Sequence, residues 1–379
     1  MPDAPNPHES PDQPAFDPWA AVVGQTRAVE LLQRAALRPV HAYLLVGGRG
    51  SGAEDAARSF AGALVEADDD RPQRRAHPDV VEFEPVANAY SVAEVREGII
   101  PEVHRSPIEG ERKVVIVLDA ERLQGSPGSG GAPASALLKT LEEPPARAVL
   151  LLVTAAPGEL LDTIRSRCQR VDLAALDVAT LQAALERDGV DADRAALSAR
   201  LAGGQMARAR LLAGRWAQLR DSFSLAPTRL DGSGAAAVTM AEDLVGAVQD
   251  AATGLRATHD AEAGALDAEI ERAGYPPRAA QALTRRLRER HKREDRRART
   301  EALHEGITAL ESMYRDALAA GAPPVNTDRE VLAVSPGAAA DALDACSEAR
   351  RAFEFNPNEG LLLERLMLHL PAVATPAHR

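Results

Sequence analysis

Residues 42–54 of this 379-residue chain read AYLLVGGRGSGAE, a short apolar run followed by glycines and the start of a helical pattern. An apolar run of this length that ends at glycines is typical of a buried strand. The order strand, glycine-rich turn and helix is that of a P-loop, in which backbone N–H groups hold phosphates at a helix N-terminus. The stretch therefore predicts a nucleotide-binding type of α/β fold. A glycine-rich turn without a ligand is the alternative that it leaves open.

The loop departs from the working pattern G-x-x-x-x-G-K-[ST] at its two chemical positions. Gly47 and Gly52 match the pattern, but Ala53 stands where a lysine should contact the phosphates. Glu54 stands where a Ser or Thr hydroxyl should bind Mg²⁺, and we expect its carboxylate to lie beside the phosphate cradle. Loss of a cation and gain of an anion both oppose nucleotide binding.

A second P-loop element, an acidic pair after a later apolar strand, is also incomplete. The run from Val114 to Leu118 reads as that strand and ends in Asp119, but the next residue is Ala120. The acid that would polarise water is therefore missing, and Asp119 is more typical of a cap than of a catalyst. Together the two half-motifs predict a nucleotide-binding fold without ATPase chemistry.

The distribution of apolar, polar and proline residues along the chain predicts three domains after a tail. Residues 1–18 are proline-rich and read as disordered. Apolar strands alternate with helical patterns over residues 19–173, which predicts a parallel sheet with helices on both faces. Short helical patterns over 174–215 predict a small helical domain, and residues 216–379 predict an all-α domain. The glycine-rich stretch from Gly125 to Gly131 reads as a flexible insert.

Composition excludes several classes of protein. A net charge of −12 argues against a protein that coats nucleic acid, and 3% aromatic residues argue against a stacking platform for single strands. The two cysteines, Cys168 and Cys346, cannot form a disulfide framework or a four-thiolate zinc site. No signal peptide is visible, and the longest apolar run, residues 148–156, is too short to span a bilayer. We expect a cytoplasmic protein without membrane contact.

Several stretches together resemble the delta-prime subunits of the bacterial DNA polymerase III clamp loader. Those subunits are AAA+ proteins with an inactive ATPase site, and the resemblance covers residues 19–215 well and the remainder in outline. The stretches that carry it are VGQ at 23–25, ALLKTLEEPP at 136–145, SRC at 166–168, GGQMARA at 203–209 and NPN at 356–358. The decapeptide and the SRC triplet together are the most specific of these signals.

The resemblance implies a fold, a role and partners. The fold would be an AAA+ module of residues 19–173, a helical lid of 174–215 and a helical collar of 216–379. The chain would hold no ATP, and it would join gamma/tau motor subunits and a delta subunit that load a sliding clamp onto primer-template DNA. Arg167 of the SRC triplet would act in trans as an arginine finger on a neighbour's ATP. Ser166 would orient its turn.

The remaining implied residue is Arg208, which occupies the position of the sensor 2 arginine. Because Ala53 removes the nucleotide partner, we expect Arg208 to make a structural link between lid and α/β core. The four-cysteine zinc module usual before the segment His77-Pro78-Asp79 is missing, so we expect no zinc or other metal. Cys168 is expected to fill an apolar pocket rather than to react.

Two rival functions stay open. One is an active clamp-loader ATPase of the gamma/tau type, against which Ala53, Glu54 and Ala120 argue. The other is a stand-alone DNA-binding protein that uses the run from Arg285 to Arg299, which has nine Lys or Arg and three acids. A solvated helix face is the simpler interpretation of that run. The apolar stripe over residues 362–370 predicts core, part of which could serve an interface.

Overall fold

A computed structural model describes residues 17–48, 50–67, 69–73, 75, 77–85, 89–125, 132–319, 321–353 and 358–373. Most of the predicted tail, residues 126–131 of the predicted insert, and Asn356 with Pro357 lie outside these ranges. The chain divides into two compact units, and residues 205–207 group with the first although they follow it in sequence. The units are Met1–Leu176 with Gln205–Ala207, and Asp177–Gly204 with Arg208–Arg379.

The first unit is built on a five-stranded parallel sheet. The strands are β1 (Ala42–Val46), β2 (Val80–Phe83), β3 (Lys113–Val117), β4 (Ala148–Thr154) and β5 (Gln169–Asp172). Their order is β2-β3-β4-β1-β5, and every pairing is parallel. All residues of β3 and β4 are buried, as a parallel sheet covered on both faces requires. The predicted parallel sheet is confirmed.

Helices cover both faces of this sheet. Tyr43 and Leu45 of β1 belong to one apolar cluster, whereas Leu44 belongs to another, because successive side chains of a strand point to opposite faces. The first cluster contains side chains of α1 and α2, and the second contains side chains of the helices that follow β2 and β3. These helices are α1 (Thr26–Leu37), α2 (Ala53–Leu64), a π-type segment (Glu94–Ile99) that continues as α3 (Ile100–Val103), α4 (Ala132–Glu142) and α5 (Asp162–Arg165).

The segment His77-Pro78-Asp79, before β2, is hydrogen-bonded to the turn that precedes β3. The buried Asp79 carboxylate accepts the backbone N–H groups of Ile108, Glu109 and Gly110 at 2.5, 2.7 and 2.7 Å. Burial alone would raise the pKa of Asp79, but these hydrogen bonds and Lys113 lower it overall. A carboxylate that accepts three backbone donors orders the turn before β3.

The second unit contains helices only among its described residues. They are α6 (Val178–Arg187), α7 (Ala192–Leu201), α8 (Met206–Ala213), which begins with two residues of the first unit, α9 (Ala217–Arg229), α10 (Gly234–Ala252), α11 (Arg256–Ala273), α12 (Pro277–Leu318), α13 (Pro336–Ala352) and α14 (Glu359–His369). Side chains of α9, α10, α12, α13 and α14 form one apolar core. The predicted stripe over residues 362–370 is core, since its members are at most 8% exposed: Leu362, Leu363, Leu366, Met367 and Leu370. Among the described residues, no helix is both long and apolar enough to cross a membrane.

Close approach of α9 and α12 depends on a glycine. A Cβ atom at Gly306 of α12 would lie 2.5 Å from ring carbons of Phe223 on α9. Phe223 is fully buried, so its ring cannot move aside without disturbing its neighbours. The absence of a side chain at Gly306 therefore sets the distance between these two helices.

We expect Gly306→Ala to destabilise the helical unit by about 1–3 kcal/mol, the usual cost of overpacking a filled core. Gly246→Ala is the matched control, because a Cβ atom at Gly246 of α10 would meet nothing within 4 Å beyond its own helix. Alanine there should stabilise the protein by up to about 1 kcal/mol through helix propensity. Urea unfolding followed by circular dichroism measures both changes. Equal behaviour of the two variants would contradict the steric account.

Candidate functional site

The glycine-rich loop leaves β1 beside the end of β4. The N–H of Gly47 donates to the carbonyl of Thr154, at 3.0 Å. A Cβ at Gly47 would lie 2.3 Å from Ser51 Oγ and 3.2 Å from Leu173 Cβ, so the tight turn itself requires glycine there. Gly52 has a φ of 92° and precedes the first residue of α2, which is the left-handed conformation that glycine adopts without strain. The loop thus has the strand–turn–helix geometry that the sequence predicts.

The residue at the start of α2 supplies no charge to this loop. Ala53 is 4% exposed and belongs to the apolar cluster that includes α1 and α2. A P-loop lysine at this point would place a cation against the β- and γ-phosphates. Backbone N–H groups at the N-terminus of α2 are the phosphate-binding feature that the turn keeps.

Glu54 forms an ion pair with a cation on its own helix. Its carboxylate lies 3.2 Å from Nη2 of Arg58, one turn further along α2, and Arg58 also holds Glu82 of β2 at 2.8 and 3.0 Å. Burial alone would lower the pKa of Arg58, but Glu82, Glu54 and Asp55 raise it overall. The largely buried guanidinium at i+4 thus offsets the negative charge that the sequence predicts beside the phosphate cradle.

Asp119 is a turn residue rather than a side-chain cap. It has φ 46° and ψ 48°, and its backbone carbonyl accepts the N–H of Arg122. No side-chain hydrogen bond caps the short 3₁₀ helix Ala120–Gln124 that follows, so the predicted cap role is wrong. Its Oδ2 atom lies 3.6 Å from Nε of Arg122. The left-handed conformation, which Asp tolerates better than most residues, turns the chain at the end of β3.

An acid that the sequence motifs do not reveal lies at the same edge of the sheet. The hydroxyl of Thr154, the buried last residue of β4, donates to Oε2 of Glu121 at 2.6 Å. Thr154 pairs in register with Val46, the residue just before the loop. Carboxyl ends of parallel strands are where α/β proteins place ligand-binding groups. Glu121 comes two residues after Asp119, outside the consecutive acidic pair that the motif specifies.

Arg167 joins the two most specific motifs of the sequence. Its Nη2 donates to Glu142 Oε1 at 2.7 Å, and its Nη1 donates to the carbonyl of Thr163 at 2.8 Å. Glu142 comes from the LEEPP stretch at the end of α4. The side chains of Arg167 and Glu142 are 34% and 51% exposed, so their ion pair is worth about 0–1 kcal/mol and can open. None of these contacts of Arg167 involves the glycine-rich loop or Asp119.

The residues on either side of Arg167 stabilise the turn on which it lies. Ser166 follows the last residue of α5 as its C-cap, and its hydroxyl donates to the carbonyl of Thr163 at 3.3 Å. Cys168 packs against the apolar cluster on the α4 side of the sheet. Burial raises the pKa of the Cys168 thiol to about 12, so it stays protonated at neutral pH and acts as an apolar filler, as predicted.

Arg208 forms a structural link, but with a different partner from the one predicted. Its guanidinium binds Glu305 of α12 through two hydrogen bonds, Nε to Oε2 at 2.7 Å and Nη2 to Oε1 at 2.9 Å. The Glu305 side chain is only 7% exposed. A buried carboxylate needs a cation, which explains why Arg208 pairs with α12 instead of the expected α/β core.

The first unit is similar in sequence to subunits of DNA polymerase III. Residues 24–177 match the family described as "DNA polymerase III, delta subunit". DNA polymerase III subunit tau of Bacillus subtilis is 38% identical over 165 residues, which are 40% of this chain and 28% of that protein. Subunit delta' of the same organism is 29% identical over 172 residues, 42% of this chain and 50% of that protein.

A longer match extends into the helical unit. Subunit gamma/tau of Mycobacterium bovis is 30% identical over 302 residues, 72% of this chain and 48% of that protein. The chain thus spans at most about half the length of these relatives. A gamma subunit-related protein of DNA polymerase III from Thermotoga maritima aligns over 90% of this chain and 97% of its own, with a TM-score of 0.44 and 18% identity. The sheet order and the helices confirm the predicted α/β module, a parallel sheet with helices on both faces, and the helical segments that follow it.

We expect Arg208→Ala to destabilise the helical unit by about 2–4 kcal/mol, because it leaves the buried Glu305 carboxylate without its cation. Arg210→Ala is the matched control on the same helix, since Arg210 pairs with Asp188 where both side chains are about 40% exposed. That loss should stay below about 1 kcal/mol. Adding Glu305→Gln to Arg208→Ala should recover part of the stability. Urea unfolding measures the loss of stability in each variant. Equal losses for Arg208→Ala and Arg210→Ala would contradict the role of the buried Glu305 carboxylate.

Proposed function

Because residues 24–177 match the family described as "DNA polymerase III, delta subunit", we propose that the chain is the delta-prime-like, ATPase-inactive subunit of a clamp-loader complex. The observation that carries the proposal is the buried Ala53 at the first position of α2, where an active P-loop has its lysine. Without that lysine the loop lacks the cation that contacts the β- and γ-phosphates in a working P-loop. The chain would then act as a scaffold that holds no nucleotide of its own.

An active ATPase of the gamma/tau type is the second candidate. The tau and gamma/tau subunits are among its relatives, and Glu121 brings a carboxylate to the strand end where the sequence motif lacks one. A general base alone does not bind ATP, however, and positioning with charge neutralisation makes up most of the catalysis of phosphoryl transfer. We therefore favour the inactive subunit, and binding of ATP separates the two candidates.

Arg167 is the residue that we propose to act on a neighbour. It lies on the turn after α5, where its guanidinium is partly exposed and bound to a surface carboxylate instead of a buried one. An exposed pair of this kind opens at little cost, so the guanidinium can reach a phosphate of a second chain. Arginine fingers accelerate phosphoryl transfer by about 10³–10⁵-fold in well-studied cases. Ser166 would keep the turn in place.

The partners in this proposal are gamma/tau-type motor subunits and a delta subunit, with a sliding clamp and primer-template DNA reached through the complex. The relatives support the gamma/tau-type partners, since these relatives are named as subunits of DNA polymerase III. The place of action would be the cytoplasm, where replication takes place in bacteria. The chain's acidic net charge fits a subunit that depends on partners for contact with DNA.

Stand-alone DNA binding has less support. The run from Arg285 to Arg299 lies on α12, and several of its cations are already paired with carboxylates. These pairs are Arg290 with Glu262, Lys292 with Glu289, Arg297 with Glu301 and Arg299 with Glu359. Each pair reduces the charge available to phosphates. A solvated helix face therefore remains the favoured interpretation of this run.

The purified chain should show no saturable binding of Mg-ATP at micromolar concentrations in titration calorimetry, because position 53 lacks a cation. The double variant Ala53→Lys/Glu54→Thr should bind ATP measurably, since it restores the lysine and the Mg²⁺-binding hydroxyl. Far-UV circular dichroism checks that this variant is folded. A micromolar dissociation constant for the unaltered chain would revive the gamma/tau alternative.

In a reconstituted clamp-loader complex, Arg167→Ala should lower DNA- and clamp-stimulated ATP hydrolysis in part, because one motor site would lose transition-state charge stabilisation. The fold should persist, since a surface substitution changes stability by only about 0.5 kcal/mol. Arg165→Ala is the matched control, as Arg165 lies two residues away on α5 and pairs only with Asp162 among the contacts described. Arg167→Lys should rescue poorly, because an ammonium lacks the planar fork.

Normal turnover by the complex with Arg167→Ala would remove the finger role and leave only the scaffold role. An equal loss with Arg165→Ala would show that the α5 turn, and not the guanidinium of Arg167, matters.

A further inference from the structure

The helical hairpin of α11 and the first half of α12 lacks an apolar core of its own. The large apolar cluster of the helical unit contains Ala251 and then no residue before Ala302. Between them, among the described side chains, only His259 on α11 and Ala298 on α12 are buried. Helices that are polar on all sides depend on specific polar interactions to stay paired. The interactions of His259 therefore bear on whether this hairpin holds together.

Two histidines and two glutamates meet at the centre of this hairpin in a symmetric pattern. His259 and Glu262 are three residues apart on α11, and His291 and Glu294 are three residues apart on α12. The pairs cross between the helices: His259 Nε2 lies 2.9 Å from Glu294 Oε2, and His291 Nε2 lies 2.8 Å from Glu262 Oε2. The two imidazole rings stack, with centroids 3.9 Å apart and planes 10° apart.

This cluster carries the charge that a dication would neutralise. Glu262, Glu294 and Asp295 contribute three negative charges, and Arg290, which pairs with Glu262, contributes one positive charge. The formal charges of these four side chains sum to −2. The side chains of His259, His291 and Glu294 are all less than one-fifth exposed.

We propose that His259, His291 and Glu294 bind a divalent transition-metal ion of the zinc type, which clamps α11 to α12. Their ligand atoms all lie within 4.8 Å of one another. Two imidazoles and a carboxylate are a ligand set that Zn²⁺ accepts, with bonds of about 2.0–2.2 Å and hence ligand atoms roughly 3.3–3.6 Å apart. The rings leave their stacked contact and the three ligand atoms draw together when the ion binds, a movement that side-chain rotation can supply.

Outer partners for such a site are already in place. Glu262 accepts from His291, and Asp295 Oδ1 lies 3.5 Å from His259 Nδ1. In metal sites the histidine nitrogen that does not bind the ion donates to a carboxylate of this kind, which orients the ring. The expectation of a metal-free chain rests on the cysteines alone. It does not cover histidines that are distant in sequence and become neighbours only through the hairpin.

Zinc titration of the full-length, tag-free chain tests the proposal. After treatment with a chelator, the chain should bind one Zn²⁺, measured by calorimetry and by metal analysis after gel filtration. His291→Gln and Glu294→Gln should each weaken binding by more than about 100-fold, because loss of even an outer partner costs about 10–100-fold. His369→Gln is the matched control, since His369 is exposed at the end of α14 and contacts the carbonyl of Arg365.

Hydrogen exchange of the unaltered chain is a second test, which does not depend on whether a variant folds. In the unaltered chain, zinc should slow amide exchange over residues 256–300 and leave the α/β unit unchanged, because a ligand stabilises the segment that it bridges. Absence of saturable binding, equal affinity of all variants, or protection outside the hairpin would each overturn the proposal. The readouts are independent of ATP hydrolysis and clamp loading, so the proposed function can fail without affecting this result.

Discussion

Burial of both faces of a parallel sheet is the constraint on which the α/β unit depends. It requires β3 and β4 to be apolar at nearly every position, and it places all carboxyl ends of the strands at one edge. The glycine-rich loop, Asp119 and Thr154 reach that edge because each follows or ends a strand. The site therefore consists of residues that are far apart in sequence and share only their position at a strand end.

Much of this arrangement could be predicted from the sequence. Near-continuous apolar runs predict buried parallel strands. The spacing Ser91-x-x-Glu94 in the sequence is typical of a helix start, and each of the two side chains accepts the backbone N–H of the other residue. The glycine loop also has the predicted geometry, because a required left-handed φ at Gly52 leaves few alternatives. Local rules suffice where the determining contacts lie within a few residues or follow from hydrophobic periodicity.

The errors concern charged side chains, whose partners depend on the folded chain. Arg208 turns to α12 because Glu305 is buried there, a partner 97 residues away in the sequence. Glu121 lies outside the consecutive acidic pair of the motif, and His259 with His291 become neighbours only in the hairpin. Charge has no periodicity that reveals its partner, so sequence locates these groups without assigning their contacts.

The pair of Arg167 and Glu142 also has an entropic consequence. A long side chain at the surface loses about 0.5–1.5 kcal/mol of rotamer freedom when an interface immobilises it. Glu142 and the carbonyl of Thr163 already contact the guanidinium within the isolated chain and so restrict part of this freedom. An anion that replaces Glu142 therefore has to compete only with a monovalent carboxylate. This competition favours phosphate groups of higher charge over the carboxylates of ordinary protein surfaces.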